Sequence, residues 1–195
     1  MNDREWAFLQ PVLNDEEVNK LRSKLNKVIT GCGDQNEVML KKKANWVAVP
    51  VESGDHFSDD DIKKLLQAIL EHGYEEMIAI AFEKLKAFPP AFVVPATTEA
   101  IEEFDFKCAP FWFTMYAGEP DWAIICTKLN YFVLFGKESF VKKVLGCELD
   151  EAFGEFYDFL SDYCDSDPLK KILLSVYHRL LYAYPRVEHE TIIKL

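Results

Sequence analysis

Glycine is scarce in this chain, with eight residues in 195. None falls in a Gly-x-Gly-x-x-Gly or Gly-x-x-x-x-Gly-Lys arrangement, the loops whose backbone N–H groups cradle phosphates. Gly31-Cys32-Gly33 is mere proximity, and no Gly-x-Ser-x-Gly elbow occurs. Nucleotide-dependent and hydrolase chemistry therefore lose their usual signatures.

Metal-ligand patterns are missing too. His56, His72, His178 and His189 include no pair at the spacing of helix-borne ligands. The five cysteines, Cys32, Cys108, Cys126, Cys147 and Cys164, are too far apart for a zinc knuckle or a redox pair. Scattered thiols in odd number fit a reducing compartment. Cys126 sits in an apolar run and reads as a small buried hydrophobe. Cys32 follows a helix, at the end whose dipole disfavours a thiolate. Asp158, Asp162, Asp165 and Asp167 lack the loop, glycine and closing glutamate of a calcium hand; Asp167 reads as a helix cap and the other three as solvated charge. Neither a metal nor a cofactor is expected.

Positive charge is the remaining shortage. Lys and Arg number 22 against 33 Asp and Glu, a formal net charge of −11. Such a chain repels phosphate backbones and anionic lipid. The one dense basic run, Lys41 to Lys43, splits between two faces at strand spacing. A basic protein is the partner expected, with neither nucleic acid nor membrane. Met1-Asn2-Asp3-Arg4-Glu5 lacks the pattern of a secretory leader, and no apolar run reaches membrane-spanning length. The expected location is cytoplasmic.

What the chain does hold is aromatic mass, 14% of residues, and clear periodicity. Asn14, Glu17 and a Leu13–Val18 staple predict a helix from Asp15 to Ile29, closed by Gly31 and Gly33. Glu37 to Leu40 and Asn45 to Val51 read as a hairpin through the lysines, with Pro50 marking an edge. Ser58 caps a helix whose stripe is Ile62, Leu65, Leu66, Ile69 and Leu70, and Gly73 ends it. His72 reads as part of that helix end. Glu75 to Leu85 suits a strand or, by its Ala and Glu content, a short helix, and the glycine break before it favours the strand; Ala91 to Val94 suits an extended segment and Thr98 to Phe104 a short helix.

The strongest β signal lies at residues 111–135. Phe111 to Tyr116, Trp122 to Thr127 and Tyr131 to Phe135 are apolar runs joined by turns too short for a crossover, so they form an antiparallel meander. Near-continuous apolarity in the second and third runs places them under cover on both faces. Helices follow at Glu138 to Leu145, Leu149 to Tyr163, and after the Asp167-Pro168 cap. His178, on the last of these, reads as a structural histidine. The fold class is α+β: an antiparallel sheet of about five strands, covered by helices, with a helical C-terminal third. Residues 1–195 are expected to form a single domain, with 146 the place for any subdivision into a helical part 147–195.

No catalytic residue is identified. The segment Phe104 to Phe113 is the most aromatic in the chain, and Glu119 and Asp121 flank Pro120 in the first meander turn. Phe104, Phe106, Trp112, Glu119 and Asp121 are therefore the candidate binding residues: aromatic anchors with acidic neighbours that steer a basic partner. The resulting expectation is a non-catalytic, acidic, cytosolic protein-binding module, such as an inhibitor, immunity-type or regulatory protein. The alternatives are a small-ligand-sensing domain, or an enzyme whose site assembles from distant residues.

Overall fold

The computed structural model describes residues 6–30, 37–41, 45–54, 56–83, 85, 88–108, 110–183 and 191–194. In chain order its elements are β1 (Gln10–Val12), α1 (Asp15–Leu25), β2 (Ile29–Thr30), β3 (Glu37–Leu40), β4 (Trp46–Glu52), α2 (Asp59–Glu71), β5 (Glu76–Ala81) and β6 (Ala91–Pro95). There follow α3 (Thr98–Cys108), β7 (Phe113–Ala117), β8 (Trp122–Cys126), β9 (Tyr131–Lys137), α4 (Glu138–Leu145), α5 (Leu149–Leu160), α6 (Pro168–Ala183) and β10 (Thr191–Lys194).

The fold is α+β. The main sheet is antiparallel and has seven strands in the order β1-β6-β5-β7-β8-β9-β4, where about five are predicted. A second sheet, β10-β3-β2, holds three more. β1 escapes prediction because three residues, one of them Pro11, carry too little alternation to read. The C-terminal third is helical through α6 and then ends in a strand.

The meander is present as β7, β8 and β9, paired consecutively. All of β7 is buried, as are Trp122 to Ile125 of β8 and Tyr131 to Gly136 of β9. Helices explain that double burial. Phe113 meets Phe104 of α3, while Tyr116 donates through its hydroxyl to Leu21 O of α1 at 3.0 Å. The two residues are an odd number of positions apart, so α3 and α1 lie on opposite faces of the sheet. Trp122 stacks on Phe140, adding α4 to the α3 face. α5 and α6 pack against β4. One continuous core runs from Leu9 to Leu180.

Strands β3 and β4 do not form the predicted hairpin. All seven residues of β4 pair with β9, whereas β3 pairs with β2 and β10. The longer apolar match with β9 outweighs the local turn. Pro50 does mark an edge, since β4 ends the sheet as β1 does on the other side.

Helix boundaries show smaller departures. α1 stops at Leu25, capped by Asn26, and Ile29 enters β2 instead of extending the helix. Asn14 accepts from Glu17 N as expected, but Leu13 is 68% exposed and staples nothing. Gly31, Cys32, Gly33 and His189 lie outside the described residues. In α2, Ser58 and Asp61 make a reciprocal capping box, and His72 donates from Nδ1 to Ala68 O at 2.8 Å. Leu70 of its predicted stripe is exposed, and Ala68 is buried in its stead. α3 runs on to Cys108, past its predicted end, and so carries Phe106 on a helix.

Candidate functional site

Two neighbouring hollows open where α2, α3 and α5 meet the β4, β8 and β9 end of the sheet. The first, an acidic cleft of about 530 Å³, lies between α2 and α5. Helical spacing builds its walls. Asp61, Lys64 and Leu65 follow one face of α2, and Glu151 and Glu155 flank the buried Ala152 and Phe156 of α5. β4 contributes Val51 and Glu52, and the floor is Ile124 and Phe132.

Gly146 turns the chain from α4 into α5 with φ of +74°, a left-handed conformation that favours glycine. A Cβ there would come within 2.8 Å of Lys64 Cε. Lys64 is the cleft's one lining cation among the described residues, and it pairs with Asp60 at 2.7 Å. Asp61 is occupied in the capping box. Glu52, Glu151 and Glu155 have no ion pair among the described residues. Burial raises the pKa of Cys147, and the negative fields of Glu155 and Glu151 raise it further. The thiol is therefore no nucleophile at neutral pH.

The second hollow is an aromatic pocket of about 470 Å³. It is bounded by the end of α3, the β8–β9 turn and Ser53, Gly54, His56 and Phe57, with Phe106, Phe111, Tyr131 and Phe132 also among its walls. Asn130, at φ of +57°, makes the turn, a conformation asparagine tolerates. His56 Nδ1 and Phe57 N converge on Asp105 Oδ2 at 3.0 and 3.1 Å. Asp105 Oδ1 accepts no hydrogen bond among the described residues. The Asp105 side chain is 16% exposed, and burial raises its pKa, partly offset by His56. A His–Asp pair resembles a general base, yet burial also pushes the neighbouring Cys108 and Cys126 thiols up. Neither is an activated nucleophile.

The five candidate residues from the sequence fall at two ends of the meander. Phe104 is buried against Phe113 and lines the pocket from within. Phe106 is 75% exposed at the rim. Trp112 sits nearby, with Lys128 Nζ 5.0 Å from its ring centroid. Glu119 and Asp121 lie at the other end of β7, about 14 Å away at strand rise. There Glu119 binds Lys24 and Lys27 at 2.8 and 3.0 Å, and Asp121 accepts from the Tyr74 hydroxyl.

His56, Asp105, Glu52, Glu151 and Glu155 escape the sequence reading. Glu151 and Glu155 carried a signal, a four-residue step beside an apolar stripe. His56 and Asp105, 49 residues apart, carried none. His178 is exposed beside Tyr177, away from both hollows. Among the described residues no group of three or more His, Cys, Asp or Glu side chains could hold a metal ion. No described helix is long and apolar enough to cross a membrane. Comparison with protein-family models, curated proteins and solved structures finds no match for the chain.

Proposed function

We propose that the chain is a non-catalytic binding protein for a basic protein partner, of the inhibitor, immunity-type or regulatory kind, and that the acidic cleft receives that partner. The observation that carries this reading is the set of carboxylates Glu52, Glu151 and Glu155, without an ion pair among the described residues, around a cleft whose one lining cation among them is already matched. Charge beyond the cleft reinforces it. Residues 147–168 contain eight Asp or Glu and no Lys, Arg or His. A field of one sign over a concave surface speeds encounter with the opposite sign and rejects phosphate. Phe106 offers exposed aromatic contact at the rim of the neighbouring aromatic pocket, whereas Phe104 acts from the core. A cytoplasmic setting and one domain over residues 1–195 belong to the same reading.

Affinity capture with the intact chain and with the Glu52→Gln, Glu151→Gln, Glu155→Gln triple variant tests it. The expected outcome is a stoichiometric basic protein held by the first and lost from the second. Its affinity should fall steeply as salt rises from about 0.05 to 0.3 M. A partner held equally by both chains sinks the proposal.

A second reading, small-ligand sensing, is favoured by the aromatic pocket. Its volume of about 470 Å³ lies within the usual range for organic ligands, roughly 300–1,000 Å³.

A further inference from the structure

We propose that the aromatic pocket is a site for an organic cation, specifically an alkyl- or quaternary-ammonium head group. The inference deepens the ligand-sensing reading and rests on it; it does not require a protein in the acidic cleft.

Ring walls are the first part of the argument. Phe57, Phe106, Phe111, Tyr131 and Phe132 surround the pocket on several sides. Aromatic faces carry negative quadrupole density, so a desolvated ammonium among them is attracted where a neutral group of equal size is not. Such walls alone would suit any apolar molecule. Charge decides between the two.

Asp105 provides it. Its carboxylate lines the pocket, with Oδ2 held by His56 and Phe57 N and Oδ1 without a partner among the described residues. Oδ1 is not sealed from solvent, so it is open to accept from a donor or to pair with a positive charge entering the pocket. The lysine that lines the pocket does not fill that place. Lys128 pairs with Glu83 at 2.7 Å and lies over the Trp112 ring, so its ammonium is already matched. Rings plus one carboxylate oxygen open to the pocket select a cation with apolar substituents. A strongly hydrated metal ion would find one carboxylate too few ligands.

Two sources present this chemistry: a free small molecule, or the methylated lysine of a peptide. Choline and its uncharged carbon analogue, 3,3-dimethylbutan-1-ol, have nearly the same shape and differ in charge. Each is titrated into the full chain while the ring resonances of Phe57, Phe106 and Phe132 are followed by NMR. Choline should shift all three saturably and bind at least about tenfold tighter than the alcohol, equivalent to about 1.4 kcal/mol. Asp105→Asn should abolish that preference. Phe106→Ala, at an exposed position that leaves the core intact, should weaken choline several-fold. Glu16→Gln, at an exposed position of α1 that lines neither hollow, should leave it unchanged. An acetylated trimethyllysine amide binding about tenfold tighter than choline would assign the source to a peptide; weaker binding would assign it to a free molecule.

Equal binding of choline and the alcohol would overturn the cation proposal while leaving ligand sensing in place. No saturable shift with either probe would remove both. Retention of the charge preference by the Asp105→Asn chain would show that the carboxylate is not its source, and would also defeat the proposal.

Discussion

Phe57 meets Phe132 edge to face, with ring centroids 5.3 Å apart and planes at 73°. These two rings line both the acidic cleft and the aromatic pocket. Truncating Phe57 removes part of that common wall. Phe57→Ala is expected to cost about 2 kcal/mol, less than a fully buried phenylalanine because this ring is half-buried. Urea denaturation measures it. A loss below about 0.5 kcal/mol would mean that the ring separates the hollows without supporting either.

Glu103 and Glu119 have pKa values held down alike but should behave oppositely. Burial alone would raise Glu103. Lys107 and the backbone N–H groups of Ala7, Phe8 and Leu9 outweigh it and hold the value at about 2. Because its folded pKa lies below the ordinary 4.5, its contribution is present above that value and fades as pH falls towards 2. Glu103→Gln should cost about 2 kcal/mol near neutrality and almost nothing near pH 2, read by urea denaturation at both. A gap that ignores pH defeats this account.

Glu119 is likewise held at about 2, by Lys24 and then Lys27. Its side chain is 65% exposed, where water and salt screen the pairs. Glu119→Gln should leave the thermal midpoint unchanged within error. A clear drop would show that these pairs anchor α1 to the β7–β8 turn.

Gly118 stands at φ of +68° in that turn, and a Cβ would press on the Asp121 carboxylate and approach the Tyr74 hydroxyl at 2.9 Å. Gly118→Ala should therefore destabilise by about 1–2 kcal/mol through strain and the displaced Asp121 contact. Tyr74, pushed to about 12 by burial and then by Asp121, should titrate lower in the variant. Ultraviolet absorbance across alkaline pH follows it. An unshifted phenol would mean that the carboxylate keeps its place.

Thiol reactivity should follow exposure. Cys164 is exposed, while burial raises Cys108, Cys126 and Cys147. Brief alkylation of the native chain near pH 8, followed by peptide mapping, should label Cys164 ahead of those three. Faster labelling of Cys108 or Cys126 would show that the aromatic pocket opens in solution.

The meander is legible in the sequence because Trp122 to Ile125 and Tyr131 to Phe135 are apolar without alternation, and the turns between them allow no crossover. Helix starts are legible at Asn14, Ser58 and Asp167 because side-chain caps are local chemistry. The partners of β3 are hidden, since β10 joins it from the far end of the chain. Long-range pairing leaves no local pattern. The same holds for the hollows: aromatic density around Phe104 to Phe113 points to the right neighbourhood, but His56 reaches Asp105 only through the fold. Phe104 and Phe106 show the remaining difficulty. Aromatics two positions apart read alike in the sequence, and helix phase alone buries one and exposes the other.

Both outermost strands of the main sheet contain a proline, Pro11 in β1 and Pro50 in β4. Neither proline has an N–H to offer a newcomer, so each interrupts the row of donors on which another chain's strand could template. The sheet thus terminates itself at either margin. Such a stop disfavours extension of the sheet, edge to edge, by a second polypeptide.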